Sequence, residues 1–225
     1  MNNIYGDGFY KNRHQKTVYS AERVLSIVLE ALPQVNSAID FGCGVGTWLS
    51  VLKEKGVGSI QGLDGAWVDQ SLLEIPKKDF EEVDLEKEVS VYYGYDLAIS
   101  LEVAEHLPEE SASIFVDSLV NASNFIIFSA AIPLQGGSGH INEQWPEYWE
   151  EMFRQRGYKV IDFIRGNIWY DEKIPAWYRQ NIFMYVKEEE IFRCNFSRDI
   201  MVNHTMPLSL VHPDKYMSKA KRTPT

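Results

Sequence analysis

The stretch that most constrains the fold runs from Ala38 to Trp48 and has the sequence AIDFGCGVGTW. Apolar residues lead into glycines at alternate positions, Gly42, Gly44 and Gly46, a pattern typical of a buried strand followed by a tight turn. Glycine is favoured where the backbone takes a positive φ or approaches a ligand closely. A helix that begins there presents free N–H groups and a partial positive charge. The stretch therefore predicts a strand, a turn and a helix that hold a small molecule with anionic or polar groups; a tight turn without a ligand is the alternative.

Strand and helix patterns alternate along the rest of the chain. Apolar residues at helical spacing predict an amphipathic helix over residues 17–32, and Pro33 ends it. Further helices are predicted from Trp48 to about residue 56, around Leu72, and over 109–121 and 145–156. Strands are predicted over residues 37–41, 59–63, 80–83, 97–101, 124–131, 158–165 and 181–187. This alternation predicts an α/β fold, a Rossmann-like parallel sheet with helices on both faces.

The C-terminal third of the chain departs from this alternation. The aromatic segment 166–180 carries no helical pattern, which suggests that the last strand returns antiparallel. Residues 188–225 are charged and contain a basic cluster at 219–222, so we expect an appended helix or a peripheral tail there. We therefore expect a single domain over residues 1–187, with 1–16 as a lid, and a C-terminal extension over 188–225.

Charge and cysteine content narrow the range of partners. The 225 residues carry a formal net charge of -10, and no run of Lys and Arg occurs before the C-terminal tail. Nucleic-acid binding needs a basic footprint, so a nucleic-acid partner is disfavoured. Cys43 and Cys194 have no metal-ligand spacing, which indicates free thiols in a reducing compartment. The chain shows no signal peptide and no membrane span, so a cytoplasmic protein without a membrane partner is expected, and its oligomeric state is left open.

Acidic residues follow the second and third predicted strands. Ligands of open parallel sheets lie beyond the carboxyl ends of the strands. Asp64, followed by Gly65, is suited to the two hydroxyls of a ribose, since one carboxylate accepts both bonds. Asp84 is suited to an exocyclic amine, and Leu85 to an apolar wall. An aspartate at a strand end is more often a turn or helix cap, which is the alternative for each residue taken alone.

Two classes of nucleotide cofactor compete for the glycine turn. A nicotinamide or flavin fold uses Gly-x-Gly-x-x-Gly. Gly42 and Gly44 fit that pattern, but its third glycine is replaced by Thr47, and a glycine stands instead at Gly46. A nicotinamide oxidoreductase is therefore disfavoured.

The motif series resembles that of class I S-adenosylmethionine-dependent methyltransferases. It comprises the glycine turn, Asp64, Asp84 and the sequence SLEVAEHL from Ser100 to Leu107, in the right order over residues 17–187. The resemblance implies a seven-stranded sheet with an antiparallel last strand and S-adenosyl-L-methionine as cofactor. The cofactor-binding residues that it implies are Asp40, Gly42, Cys43, Gly44, Gly46, Trp48, Asp64, Gly65, Trp67, Asp84, Leu85, Ser100, Leu101, Tyr10 and His14.

Each of these positions has an implied role. The turn from Asp40 to Gly46 lies under the methionine part, and Asp64 holds the ribose hydroxyls. Trp67 or a neighbour faces the adenine, and Asp84 meets the adenine amine. Ser100 and Leu101 line the sulfonium side. Tyr10 and His14, with Thr17, belong to the variable lid.

Glu102, Glu105 and His106 form a Glu-x-x-Glu-His motif after the fourth strand. Two carboxylates and an imidazole so close together suit a divalent cation such as Mg²⁺. The motif is similar to the metal site of small-RNA 2′-O-methyltransferases and ubiquinone-pathway O-methyltransferases. In the RNA enzymes a further histidine completes the site, which makes His140 the fourth ligand here. In metal-free relatives with the same motif, the acids cap the helix and the histidine packs near the cofactor.

The loop GGSGHINEQW, residues 136–145, follows the fifth strand on the active face. His140 is the best general base in it, with His106 as the second catalytic candidate, because an imidazole titrates near neutral pH. The alternative for His140 is a purely loop-fixing role.

The same loop resembles methyltransferases of bacterial surface-polysaccharide gene clusters. That resemblance implies O-methylation of a sugar or a phosphate-like group on a polysaccharide precursor, a small phosphorylated or nucleotide-linked molecule. A methyltransferase of another small metabolite and a non-catalytic binding protein on the same fold are the alternatives. The acceptor itself does not follow from the fold.

Overall fold

The computed structural model describes residues 7–91, 94–196 and 207–220, and for residues 7–13 it describes the backbone only. The predicted cofactor residue Tyr10 therefore lies, as a side chain, outside the described residues, as does the first part of the predicted lid at 1–6.

A seven-stranded sheet forms the centre of the molecule, with strand order β3-β2-β1-β4-β5-β7-β6. Neighbouring strands pair in parallel from β3 to β5, whereas β7 lies antiparallel between β5 and β6. The strands are β1 (Ser37–Phe41), β2 (Ser59–Asp64), β3 (Phe80–Glu82), β4 (Leu97–Leu101), β5 (Phe125–Ser129), β6 (Tyr158–Ile161) and β7 (Phe183–Lys187). This confirms the predicted α/β sheet with an antiparallel last strand.

Apolar residues of the central strands pack on both faces of the sheet. Ile39 and Ile126 belong to one apolar cluster, and their neighbours Ala38 and Ile127 belong to the other. Alternate side chains of a strand point to opposite faces, so these strands are apolar throughout because both faces are covered.

Helices supply the two outer layers. They are α1 (Asp7–Ala31), α2 (Thr47–Glu54), α3 (Ala112–Ala122), α4 (Pro146–Gln155), α5 (Ile164–Ile168), α6 (Ala176–Asn181) and α7 (Pro213–Ala220). One face of the sheet is covered by buried residues of α1, α2, α5 and α6, and the other by those of α3 and α4. Among the described residues, no helix has the length and apolar composition that a membrane crossing requires.

Two predictions for the helices and strands were wrong in part. α1 begins at Asp7 and not near residue 17, because apolar periodicity marks only the part of a helix that packs on the core. The segment predicted as strand to residue 165 and then irregular to residue 180 contains α5 and α6. These helices have five and six residues, so neither shows two full periods of an apolar face.

The C-terminal segment contains the appended helix, α7. His212, just before it, is buried and its backbone N–H donates to Gln180 Oε1 at 2.8 Å. Arg179 of α6 donates to Asp214 Oδ2 at 2.6 Å and contacts His212 Nε2 at 3.0 Å. These buried contacts attach α7 to the rim of the sheet, at the ends of the strands that carry the site.

Candidate active site

The glycine turn after β1 is tied to the end of β2. Gly42, Gly44 and Gly46 all have positive φ, at 85°, 55° and 86°. The carboxylate of Asp64 accepts the N–H of Gly44 through one oxygen and the N–H of Gly65 through the other, each at 2.7 Å. A Cβ at Gly44 would meet nothing within 4 Å, so the turn leaves open space above it. The turn is therefore shaped for a ligand that lies against the backbone.

That open space belongs to a cavity of about 470 Å³ at the carboxyl ends of β1 and β4. It is lined by His14, Thr17, Asp40, Gly42, Cys43, Gly44, Val45, Thr47, Trp48, Leu101, Glu102, Trp177 and Tyr178. Seven of the predicted cofactor residues lie together here: His14, Asp40, Gly42, Cys43, Gly44, Trp48 and Leu101. Trp48 packs edge to face on Tyr178, with ring centroids 5.5 Å apart, so α6 closes the cavity from the other side.

Asp40 is a buried acid in the cavity wall. Burial raises its pKa well above the usual range, and the neighbouring Asp64 carboxylate raises it further. A cationic group placed beside Asp40 would reverse both effects, because it would favour the charged carboxylate.

Several predicted cofactor residues do not line this cavity. Gly46 ends the turn without lining the cavity, Asp64 accepts the N–H groups of Gly44 and Gly65, and Ser100 is fully buried within β4. Asp84 is exposed and pairs with Lys87 Nζ at 2.7 Å, while Leu85 belongs to the apolar core. β3 ends at Glu82, so the chain has already turned away from the sheet edge at Asp84.

Trp67 also lies apart from the cavity. Its ring is 78% exposed and lies against Gly65, where a Cβ would come within 2.2 Å of the indole. The structure therefore does not bring Trp67 and Asp84 to the cavity, and their adenine-contacting roles remain predictions from the resemblance.

A second cavity, of about 650 Å³, adjoins the first. It is lined by Lys16, Thr17, Glu102, Glu105, His106, Gln135, Gly136, Gly137, Ser138, His140, Pro175, Trp177 and Lys215. Thr17, Glu102 and Trp177 line both cavities, so the two spaces meet at these three residues. Sequence reasoning missed Lys16, Gln135 and Lys215, because only long-range packing of α1, the loop after β5 and α7 brings them to one wall.

Glu102 stands at this junction in a left-handed conformation, with φ 57°. Its carboxylate accepts the side-chain amides of Asn181 and Gln135, each at 3.0 Å. Burial raises its pKa, and hydrogen bonds from Asn181, Ser129 and Gln135 act in the opposite direction. The predicted four-residue metal site therefore needs correction: Glu102 is held by amides, outside the group of possible metal ligands.

The remaining three predicted ligands converge. Single ligand atoms of Glu105, His106 and His140 all lie within 4.8 Å of one another. The imidazole rings of His106 and His140 meet edge to face with centroids 4.8 Å apart, and His140 Nε2 is 4.0 Å from Glu105 Oε1. Burial lowers the pKa of His106, which favours the neutral imidazole that a metal requires.

Glu105 is the most enclosed of these groups. Its side chain is 0% exposed, and within the described part of the chain neither carboxylate oxygen has a hydrogen-bond partner. Burial and the Glu102 charge raise the pKa of Glu105 to about 9, although the nearby backbone N–H groups of Glu105 and Ala131 act to lower it. A buried acid without a partner is costly, so Glu105 is a group whose environment is incomplete without a proton or a ligand.

Glu143 orients His140. Its Oε1 lies 2.8 Å from His140 Nδ1 and also accepts the N–H of Gly136 at 2.6 Å. The imidazole lies against Gly137, where a Cβ would come within 2.0 Å of Nε2, so only glycine allows this approach. An ionised carboxylate only accepts hydrogen bonds, so Nδ1 carries the proton and Nε2 is left as the acceptor.

Comparisons with known proteins agree with this geometry. Residues 12–119, just under half of the 225-residue chain, match a family model described as a methyltransferase domain. No curated protein sequence matches the chain significantly.

Solved methyltransferase structures share the fold. DesVI from Streptomyces venezuelae has a TM-score of 0.58 at 14% identity, over 80% of this chain and 95% of its own. The magnesium protoporphyrin IX methyltransferase ChlM from Synechocystis PCC 6803, with bound SAM, has a TM-score of 0.53 at 19% identity, over 83% and 85%. The small RNA methyltransferase HEN1 has a TM-score of 0.55 at 16% identity; the match covers 75% of this chain and only 25% of HEN1.

Residues 12–119 match a methyltransferase domain, and the sheet has the fold of class I S-adenosylmethionine-dependent methyltransferases. Together these findings support a methyltransferase enzyme.

Proposed function

We propose that the protein is an S-adenosylmethionine-dependent O-methyltransferase that acts on a small polar acceptor. The observation that carries this proposal is the meeting of two cavities at Thr17, Glu102 and Trp177. One cavity lies on the glycine turn, and the other contains His140. Methyl transfer from a sulfonium needs mainly the alignment of donor and acceptor, which such a junction provides.

The first cavity fits the methionine end of the cofactor. The open space above Gly44 admits a ligand against the backbone, and Asp40 is a buried acid in need of a cation, which the amino group of S-adenosylmethionine supplies. When bound, S-adenosylmethionine supplies the methyl group from its sulfonium. The chain's own residues position that group and exclude water.

His140 is the proposed general base. Because Glu143 accepts from Nδ1, Nε2 is free to take the proton of an acceptor hydroxyl as the oxygen is methylated. His106 packs against the same ring and holds it in place with Gly137.

A divalent cation fits the same cluster. Glu105, His106 and His140 would hold it, since the partnerless buried carboxylate of Glu105 is the environment that a cation completes. Such an ion would polarise an acceptor hydroxyl and lower its pKa. His140 Nε2 serves either as a ligand or as the base, so the two uses are mutually exclusive.

For the acceptor, we propose a sugar or a phosphate-like group on a bacterial surface-polysaccharide precursor. The support is the resemblance of loop 136–145, its exposed glycines and serine, and the net charge of -10, which disfavours nucleic acid. A cytoplasmic location follows from this proposal, because nucleotide-linked precursors and S-adenosylmethionine are used there. Another small metabolite is the alternative acceptor.

Calorimetry with S-adenosylhomocysteine tests the cofactor assignment. We expect the wild type to bind it and Asp64→Ala to lose at least tenfold in affinity, because the Gly44 and Gly65 N–H groups lose their common acceptor. Asp64→Asn provides a milder change if the alanine variant folds poorly. The control is Asp117→Ala, which removes an acid of α3 that pairs with Arg156. This variant should bind S-adenosylhomocysteine as the wild type does. Absence of binding by the wild type, or unchanged binding by both Asp64 variants, would overturn the proposal.

A further inference from the structure

Lysine side chains gather at the second cavity from two sides. Lys16 of α1 and Lys215 of α7 both line it. Lys219 of α7 lies close by, since a Cβ at Gly136, another lining residue, would come within 2.5 Å of its Nζ. These three residues are called the lysine cluster below. In a chain with a net charge of -10, a cationic cluster at one cavity is a specific feature.

The spacing on α7 places two of these charges on one helix face. Lys215 and Lys219 are four residues apart, so their side chains lie on the same side of the helix. Like charges at this spacing repel, which costs a helix a few tenths of a kcal/mol. An anion between α7 and loop 136–138 would attract both lysines and so offset the repulsion between them.

The helix α7, which carries Lys215 and Lys219 of the cluster, is held by several hydrogen bonds. Arg179 donates to Asp214 Oδ2 at 2.6 Å and to the carbonyl oxygen of Trp169 at 3.0 Å, and Nε2 of buried His212 lies 2.9 Å from that same oxygen. Lys215 Nζ lies 5.8 Å above the ring of Trp177, which lines both cavities. The position of Lys215 is therefore set by its surroundings before any ligand arrives.

Lys215 stands between the basic and the acidic groups of this cavity, because its charge acts to lower the pKa of Glu102 that burial raises. Glu105 is fully buried and Glu102 is bound to amides at the junction with the first cavity, whereas Lys16 is exposed and Lys215 and Lys219 are half-buried. The acceptor cavity is thus acidic and histidine-bearing where the methyl group would arrive and basic at its rim. A molecule that fills it carries a hydroxyl at one end and a negative charge at the other.

We propose that the lysine cluster is an anion subsite, which binds a phosphate or carboxylate group of the acceptor while His140 faces the hydroxyl to be methylated. This inference rests on the proposed function, because it assigns the acceptor of the same site. It makes the acceptor an anionic molecule and excludes a neutral sugar as the complete substrate.

Thermal unfolding of the full chain, with a metal chelator and at constant ionic strength, tests the subsite. The probes are inorganic pyrophosphate for a phosphate group and malonate for a carboxylate group. At ten times its dissociation constant, a probe that binds the wild type is expected to raise Tm by about 3 °C. The variant Lys215→Gln/Lys219→Gln should lose this rise. Lys77→Gln/Lys78→Gln, which removes two exposed charges before β3, should keep it.

The outcomes separate the subsite from the proposed function. S-adenosylhomocysteine should raise the Tm of the wild type and of both double variants equally. If it does not raise the Tm of the wild type, the cofactor assignment is contradicted and the anion subsite is not. A Tm rise with pyrophosphate but not malonate assigns the subsite to phosphate, and the reverse assigns it to carboxylate. No rise with either probe, or an equal rise in the Lys215→Gln/Lys219→Gln variant, would overturn the anion subsite.

Discussion

The carboxylate of Glu105 is the group in the site with the least favourable surroundings. It is fully buried, it has no hydrogen-bond partner within the described residues, and its pKa is raised to about 9. Burial and the neighbouring Glu102 charge therefore favour its protonated form when no ligand is bound. A cation held by Glu105, His106 and His140 would have to displace that proton.

Calorimetry with Mn²⁺ checks this consequence. The wild type is expected to bind the ion and to release a proton near pH 7, so that the measured heat changes with the ionisation enthalpy of the buffer. Glu105→Gln should weaken binding at least tenfold and abolish the proton release, because the ligand oxygen loses its charge.

The control for this experiment lies five residues further along the chain. Glu110→Gln removes an exposed acid just before α3 and should bind Mn²⁺ as the wild type does. If Glu105→Gln bound Mn²⁺ as well as the wild type does, or if the wild type did not bind it, the metal site would be contradicted. His140 Nε2 would then act as the general base and not as a metal ligand.

The loop after β5 acts as a structural element because Glu143 closes it. The carboxylate joins Gly136 N at one end of the loop to His140 Nδ1 near the other. Hydrogen bonds to charged groups contribute about 1.5–3 kcal/mol each. The single residue therefore sets both the shape of the loop and the tautomer of its histidine.

Glu143→Ala is expected to remove the preference for the Nδ1–H tautomer of His140, since that nitrogen loses its acceptor. Two-bond ¹H–¹⁵N NMR of the imidazole measures the tautomer directly and needs no acceptor substrate. Glu172→Ala, at an exposed position before α6, should leave the His140 signals unchanged. An unaltered tautomer in Glu143→Ala would contradict the positioning role of Glu143.

The two short helices between β6 and β7 could not be predicted from apolar periodicity in the sequence. Ile164, Ile168 and Tyr178 are buried against the sheet, yet α5 and α6 are too brief for a periodic signal. Trp177 and Tyr178 reach the cofactor cavity only because α6 packs across the strand ends. The sequence shows no helical pattern in this aromatic segment, and its helical form depends on tertiary contacts.

At the scale of the whole molecule, Asp40 affects both the stability of the fold and the proposed binding of the cofactor. A carboxyl whose pKa is raised in the folded state stabilises the fold at low pH, and this contribution is lost as pH rises above the unfolded value near 3.9 towards the raised folded value. The apo protein therefore loses stability with rising pH through this group.

Asp40→Asn should remove this loss, because the amide does not ionise. The variant is expected to unfold at higher denaturant concentration than the wild type, with a larger difference at pH 8 than at pH 5. Asp117→Asn, on the exposed face of α3, should show no such trend with pH. A difference of the same size at both pH values would contradict a buried titrating Asp40.

The Asp40→Asn variant should also bind S-adenosylhomocysteine more weakly, since it no longer offers a charge to the amino group.

The sequence alone specified the strands of the sheet, the positive-φ turn at Gly42–Gly46 and the helix after it, because apolar periodicity and glycine chemistry act over a few neighbouring residues. The Glu-x-x-Glu-His motif indicated a metal site with Glu102, Glu105 and His106, and the resemblance to RNA methyltransferases added His140. Tertiary structure decided that Glu102 binds amides of Asn181 and Gln135, and that lysines of α1 and α7 meet at one cavity. Each of these outcomes depends on contacts between residues far apart in the chain, which no local pattern records.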